Sequence, residues 1–199
     1  MNFEKLFETQ RVLRDKIGYN EPDRFEKLIL ALLVEIGECA NEWRGFKFWS
    51  KDQEPKTYKG IKCADCKGSG LTEHFNATGR WTAHCEKCGG WGLYKTNPLL
   101  EEYVDGLHFV LELGIEHEYD KELPYLDIEP LTFDSIVTQF SMLFTADWNN
   151  WEFGHDGYYH EAFEIYLGLG EMLGFTHEEI EAAYFEKNQV NHERQNQGY

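Results

Sequence analysis

The sequence predicts an all-α fold: a helical bundle interrupted by one small cysteine-bounded module. Three observations predict it. Apolar residues recur at helical spacing through most of the 199 residues. That spacing stops between residues 51 and 97, where Lys, Gly, Thr, Cys and turn pairs take over. Apolar side chains make up 42% of the chain, enough to build the core of one ordinary domain with a small insert.

Residues 3–17 carry Phe3, Leu6, Phe7, Val12, Leu13 and Ile17 on an amphipathic helix. Residues 21–46 form the strongest helix, with Pro22 at its start, Asp23 in its first turn and Gly45 near its end. Its middle is apolar nearly all round, which places it inside the bundle. Helical pattern resumes at 97–119, with Pro98 near the start. Residues 123–130 connect to a helix over 131–148 that starts at Thr132 or Asp134, and 149–157 form a loop. Residues 158–174 are helical with Gly174 as the stop. The last helix, 176–197, opens on a capping box, Thr176 three residues before Glu179. No internal repeat or low-complexity linker stands out. The domains expected are a bundle of residues 1–50 and 98–199 and an inserted module, 51–97.

The formal charge is −17. A chain this acidic repels a phosphate backbone, so direct nucleic acid binding is not expected. No apolar run is long enough for a membrane span, and the first seventeen residues mix charges with apolar groups, unlike a secretory signal. A cytoplasmic protein is expected. The Asn76 glycosylation pattern has no meaning in that compartment.

Four of five cysteines form two C-x-x-C pairs, Cys63 with Cys66 and Cys85 with Cys88, eighteen residues apart. That spacing matches a four-thiolate structural Zn²⁺ site, with glycines after each pair permitting tight backbone. His74 and His84 are alternative ligands. Two disulfides are the competing reading and require an oxidising compartment. Cys39, alone on an apolar helix, reads as a small core residue.

Glu35, Glu38 and Glu42 lie on one stripe of the 21–46 helix, and Glu102 and Asp105 repeat the i, i+3 spacing on the next buried helix. Unpaired buried carboxylates cost several kcal/mol or more, so a cation is expected beside them. Two helices that each present two inward acids, Glu35, Glu38, Glu102 and Asp105, suit an oxygen cage for Mg²⁺. Glu42 is a further ligand or accepts a hydrogen bond behind the cage. The competing reading is acids at a bundle edge that reach solvent.

On the last helix, Ile180, Ala183 and Tyr184 share a stripe with Lys187, Asn188, Asn191, Arg194 and Gln195, so the inward face turns from apolar to polar and basic. Lys187 and Arg194 suit phosphate, and the amides suit a base edge or a sugar hydroxyl. A frayed solvated terminus is the alternative.

E-x-x-E followed by E-x-x-D resembles the motif of the all-α nucleoside triphosphate pyrophosphatases, the MazG-like superfamily. The gap of 63 residues is too long for that pattern, and removing 51–97 leaves 16, which fits. The ending K-N-x-x-N-x-x-R-Q-x-x-G-Y resembles the closing motif of the dimeric all-α dUTPases. Gln10 resembles their first motif, with Arg14 where an acid is usual, and Glu42–Ser50 resembles their aromatic run. The resemblance implies Mg²⁺-dependent hydrolysis of dUTP to dUMP and pyrophosphate, by attack at the β-phosphorus, in a homodimer. It implies Glu35, Glu38, Glu102 and Asp105 as the catalytic metal ligands, Glu35 orienting and deprotonating the water. It implies substrate contacts from Gln10, Lys47, Trp49, Lys187, Asn188, Asn191 and Arg194. Trp49 is otherwise a core residue, and Lys47 otherwise reaches solvent. The aromatic segment 147–160 is expected in a buried or interfacial structural role. Alternatives are a related pyrophosphatase for another nucleoside triphosphate, and a zinc-dependent interaction protein on an inactive scaffold.

Overall fold

Helix boundaries fall where local chemistry ends the hydrogen-bond ladder. A computed structural model describes residues 1–76, 79–152 and 158–198. Within them lie six α-helices: α1 (Phe3–Ile17), α2 (Arg24–Trp43), α3 (Pro98–Glu116), α4 (Ile136–Thr145), α5 (Tyr158–Met172) and α6 (His177–Asn196). The protein is an all-α bundle carrying a small four-cysteine module. Its strands are β1 (Lys59–Lys62), β2 (Leu71–Asn76), β3 (Gly79–His84) and β4 (Leu93–Thr96). The chain divides into two compact units, Met1–Pro55 with Leu99–Tyr199, and Lys56–Pro98. No helix among the described residues is long and apolar enough to cross a membrane.

The capping box at α6 is present: Glu179 N–H donates to Thr176 Oγ1 at 3.2 Å, and Thr176 N–H donates to Glu179 Oε2 at 2.9 Å. One helix end departs from expectation. α4 starts at Ser135, whose Oγ accepts from Thr138 N–H at 3.1 Å, and not at Thr132 or Asp134. Gln139 explains this. It is fully buried, and its Nε2 donates to the Leu131 and Ile165 carbonyls while its Oε1 accepts from Phe133 N–H. Residues 131–133 are thereby tied to α5 as extended chain. α2 ends on Arg44 in the left-handed region (φ 65), one residue before Gly45.

α3 is the axis of the bundle, buried from Leu99 to Ile115 on most of its faces. It meets α5 through a reciprocal pair. Tyr103 and Tyr166 stack with centroids 4.9 Å apart, and each hydroxyl donates to the other's backbone carbonyl. Such close approach requires Gly106 beneath the Tyr166 ring and Gly170 beneath Tyr103. Cys39 is buried in this core, as expected. In the aromatic segment, Trp148 and Tyr159 are buried, Trp148 Nε1–H donating to the Leu143 carbonyl; residues 153–157 lie outside the described residues.

The smaller unit has an internal repeat that the sequence reading does not find. Cys63–Gly70 and Cys85–Gly92 share the pattern C-x-x-C-x-G-x-G and the same hydrogen bonds. Cys63 N–H donates to the Gly92 carbonyl at 2.9 Å, and Cys85 N–H to the Gly70 carbonyl at 2.8 Å. β1 pairs antiparallel with β4, and β2 with β3.

Gly106→Ala sets two effects against each other. Ala favours a helix interior by about 1 kcal/mol over Gly, and overpacking costs about 1–3 kcal/mol. The Tyr166 ring is held by its stack and its hydrogen bond, so overpacking wins. A thermal melt followed by circular dichroism is expected to fall by a few degrees; a rise would show that the ring yields freely.

Candidate functional site

α2 and α3 bring their acidic stripes together. One carboxylate oxygen from each of Glu35, Glu38 and Glu102 lies within 4.8 Å of the other two. Oxygens that share one divalent ion at about 2.1–2.4 Å are at most about 4–5 Å apart, so the triad fits such an ion. Asp105 is outside that triad in this structure; its Oδ2 accepts from Lys187 Nζ of α6 at 2.5 Å. Its charge still acts on both glutamates.

The electrostatics show an unmatched negative charge. Burial, then the charges of Asp105 and Glu38, push the Glu35 carboxyl up to about 7, against a downward pull from Lys187. Burial and the charges of Asp105, Glu38 and Glu35 push Glu102 up to about 7. Asp105 is raised too, burial outweighing Lys187. Glu42 lies close enough for its charge, with that of Glu102, to add to the burial that holds the Cys39 thiol protonated. A divalent cation would remove the repulsion and most of these shifts.

A cavity of about 400 Å³ is walled by α1, α2, α3 and α6. Leu13, Leu28, Ala31 and Phe109 supply apolar walls, and Gln10, His108, Asn191 and Arg194 the polar ones. Behind them runs a buried network. Gln10 Nε2 donates to Glu112 Oε2 at 2.9 Å, while Gln10 Oε1 faces His108 Nδ1 at 2.8 Å and Tyr184 Oη at 2.9 Å. Glu112 also pairs with Arg24 and, at 3.6 Å, with Arg14; Glu116 takes Arg14 at 2.6 Å and Arg24 at 2.9 Å. A larger cavity, about 550 Å³, between the start of α1 and residues 123–128 has only Glu4 and Glu181 as ionisable side chains and offers no comparable chemistry.

Of the residues picked from the sequence, Gln10, Asn191 and Arg194 meet at the cavity. Asn188 is buried on the same face of α6, beside Tyr184. Lys187 stands at Asp105, and two others are brought to neither place. Lys47 caps the end of α2, its Nζ donating to the Asn41 carbonyl at 3.2 Å and to the Asn41 side chain. Trp49 is 66% exposed, against the edges of Phe46 and Phe48, so the alternative reading of it as core does not hold. His108, Glu112, Arg24 and Tyr184 were not singled out. A signal existed for one of them: Glu112, with Glu116, prolongs the Glu102–Asp105 stripe along α3 at i+10 and i+14.

The four cysteines of the smaller unit are buried together. Cys63 and Cys85 Sγ are 3.8 Å apart, and Cys66 and Cys88 Sγ 3.7 Å. A tetrahedron with metal–sulfur bonds of about 2.3 Å has edges of about 3.8 Å, whereas a disulfide needs about 2.05 Å. All are free thiols, which excludes the disulfide reading. Gly70 and Gly92 N–H donate to Cys66 and Cys88 Sγ at 3.3 and 3.2 Å, and a Tyr94 hydrogen bond lowers the Cys63 thiol below its ordinary range. His74 stacks on Trp81, and neither His74 nor His84 belongs to the cluster.

The sequence pattern of a protein family described as dUTPase matches residues 2–63 and 92–199, leaving 64–91 unmatched. No curated protein matches the chain.

The raised carboxyls make stability of the metal-free protein depend on pH. Glu35 and Glu102 titrate near 4.5 when unfolded and near 7 when folded, so the folded state holds more protons in between. Their contribution is fullest below about pH 4.5 and is lost as pH rises through 7. The metal-free melting temperature is expected to fall between pH 6 and 8, and to fall less in a Glu35→Gln/Glu102→Gln variant. Equal slopes in differential scanning fluorimetry would show that the two carboxyls are not raised.

Proposed function

Because the chain belongs to the all-α dUTPase family, we propose that it is a Mg²⁺-dependent dUTP diphosphatase releasing dUMP and pyrophosphate. The family match covers most of the chain and supports a hydrolase of nucleoside triphosphates; the choice of dUTP and of Mg²⁺ is our reading. The convergence of Glu35, Glu38 and Glu102 beside the Asp105–Lys187 pair carries it.

Glu35, Glu38, Glu102 and Asp105 would hold the ions. Mg²⁺ bound there would neutralise the triphosphate and acidify a water. Glu35 would orient the attacking water toward the β-phosphorus and take its proton. The bond between the β-phosphorus and the oxygen bridging to the α-phosphorus breaks, so dUMP departs and the two outer phosphates leave as pyrophosphate. Lys187 and Arg194 stabilise charge on the phosphates, Lys187 leaving Asp105 as ions enter. Gln10, Asn188 and Asn191 read base and sugar. Lys47 and Trp49 belong to this reading only as groups that a bound substrate draws in.

Two further features complete the proposal. The four-cysteine cluster holds Zn²⁺, which replaces the core that so small a unit cannot build. A homodimer forms through the exposed apolar side chains Leu30 and Val34 of α2 and Val137 and Phe144 of α4.

Pyrophosphate release from a panel of deoxynucleoside triphosphates with Mg²⁺ is expected to be fastest with dUTP; equal turnover of dTTP would contradict the substrate. Glu35→Gln is expected to lower kcat by about a hundredfold or more while keeping the fold, since general base catalysis supplies about that much. Metal analysis of the purified protein is expected to give one zinc per chain. Four freely titratable thiols in the native protein would refute the zinc site.

A further inference from the structure

We propose that Glu112 sets the base preference of the cavity, by fixing which way round the Gln10 amide is held. The cavity then offers a donor beside an acceptor, matched to the imide edge of uracil. This rests on the reading of the cavity as a nucleoside pocket.

The network's direction follows from counting protons. Gln10, Glu112 and His108 are each at most 6% exposed. Glu112, bracketed by the guanidinium groups of Arg24 and Arg14, is a carboxylate and can only accept. The nitrogen of the Gln10 amide must therefore face it, which turns the carbonyl toward His108 and Tyr184. Neither of those two could impose a sense. A hydroxyl donates or accepts, and Tyr184 has the Leu6 carbonyl at 3.4 Å as a second acceptor. A neutral imidazole takes either tautomer, and burial holds His108 neutral, its pKa down to about 3. Glu112 alone lacks the choice.

Two consequences reach the cavity. His108 meets a carbonyl and so carries its proton on Nδ1, which leaves Nε2 a bare acceptor. That Nε2 is buried and has no partner among the described residues, and His108 lines the cavity. Gln10 uses one Nε2 hydrogen on Glu112, and the second has no acceptor among the described hydrogen bonds. The protein thus offers an N–H donor and a ring-nitrogen acceptor. Uracil presents the complement, the O4 acceptor beside the N3–H donor. Cytosine presents the reverse, an amino donor beside an N3 acceptor, and would leave both protein groups opposed by like groups. Thymine has the same edge as uracil, so Glu112 has no part in rejecting its methyl group.

That difference supplies the test. Binding of dUMP, dCMP and dTMP to the full-length protein would be measured by calorimetry, for wild type and Glu112→Gln, with dUTP turnover recorded separately. The wild type is expected to prefer dUMP over dCMP by at least about tenfold. In Glu112→Gln, whose amide permits either sense, that preference is expected to collapse while the dUMP/dTMP ratio holds. Both ratios unchanged, or both shifting together as a loosened pocket would give, would overturn the proposal, as would a wild type without preference between dUMP and dCMP. Should Glu112→Gln fail to fold, Glu112→Asp and Glu112→Asn carry the same comparison, with the preference expected only in the carboxylate. A wild type that prefers dUMP yet does not hydrolyse dUTP would end the functional reading and leave the role of Glu112 standing.

Discussion

Three acids cannot be held within 4.8 Å of one another on half-buried helices without a cation, or without giving up their charge. In the metal-free protein the second course is partly taken, Glu35 and Glu102 titrating near 7. Lys187, committed to Asp105, offsets only part of the repulsion. The rest of the larger unit serves to keep this unfavourable group in place. α3 does most of it, since the helix that carries Glu102 and Asp105 is also the most buried one, locked to α5 by the Tyr103–Tyr166 exchange. The backbone that carries Glu102 and Asp105 cannot shift without undoing the core.

The same stripe continues two to three turns on, and here the charges are matched. Glu112 and Glu116 find Arg14 and Arg24 from α1 and α2. Arg14 stands where the resemblance puts an acid, and it lies 2.6 Å from Glu116 and 3.6 Å from Glu112, which Arg24 also holds. One end of α3 thus presents unmatched negative charge, and the other presents acids matched by arginines and a buried hydrogen-bond network. The cavity lies along this second stretch.

Much of this was legible from residue order. The i, i+3 acids on two apolar helices, the capping box at Thr176 and the α1 bounds follow from local chemistry, and the structure has the same elements. Misses have a common physical cause: they depend on distant partners. Ser135 caps α4 because Gln139 holds residues 131–133 against α5, a tertiary demand that no local pattern encodes. Trp49 and Lys47 were chosen by resemblance, and their surroundings are not written in their own spacing. The repeat in the smaller unit is half legible, in the glycines that follow each cysteine pair; their equal spacing, C-x-x-C-x-G-x-G, completes it.

The account stands most directly on one measurement: a crystal structure of the protein grown with Mn²⁺, with anomalous differences collected at the manganese edge. A peak bonded to oxygens of Glu35, Glu38 and Glu102, with Asp105 released from Lys187 or bridging, is the expected result. Manganese absent from that position, with the three carboxylates turned apart into solvent, would contradict it.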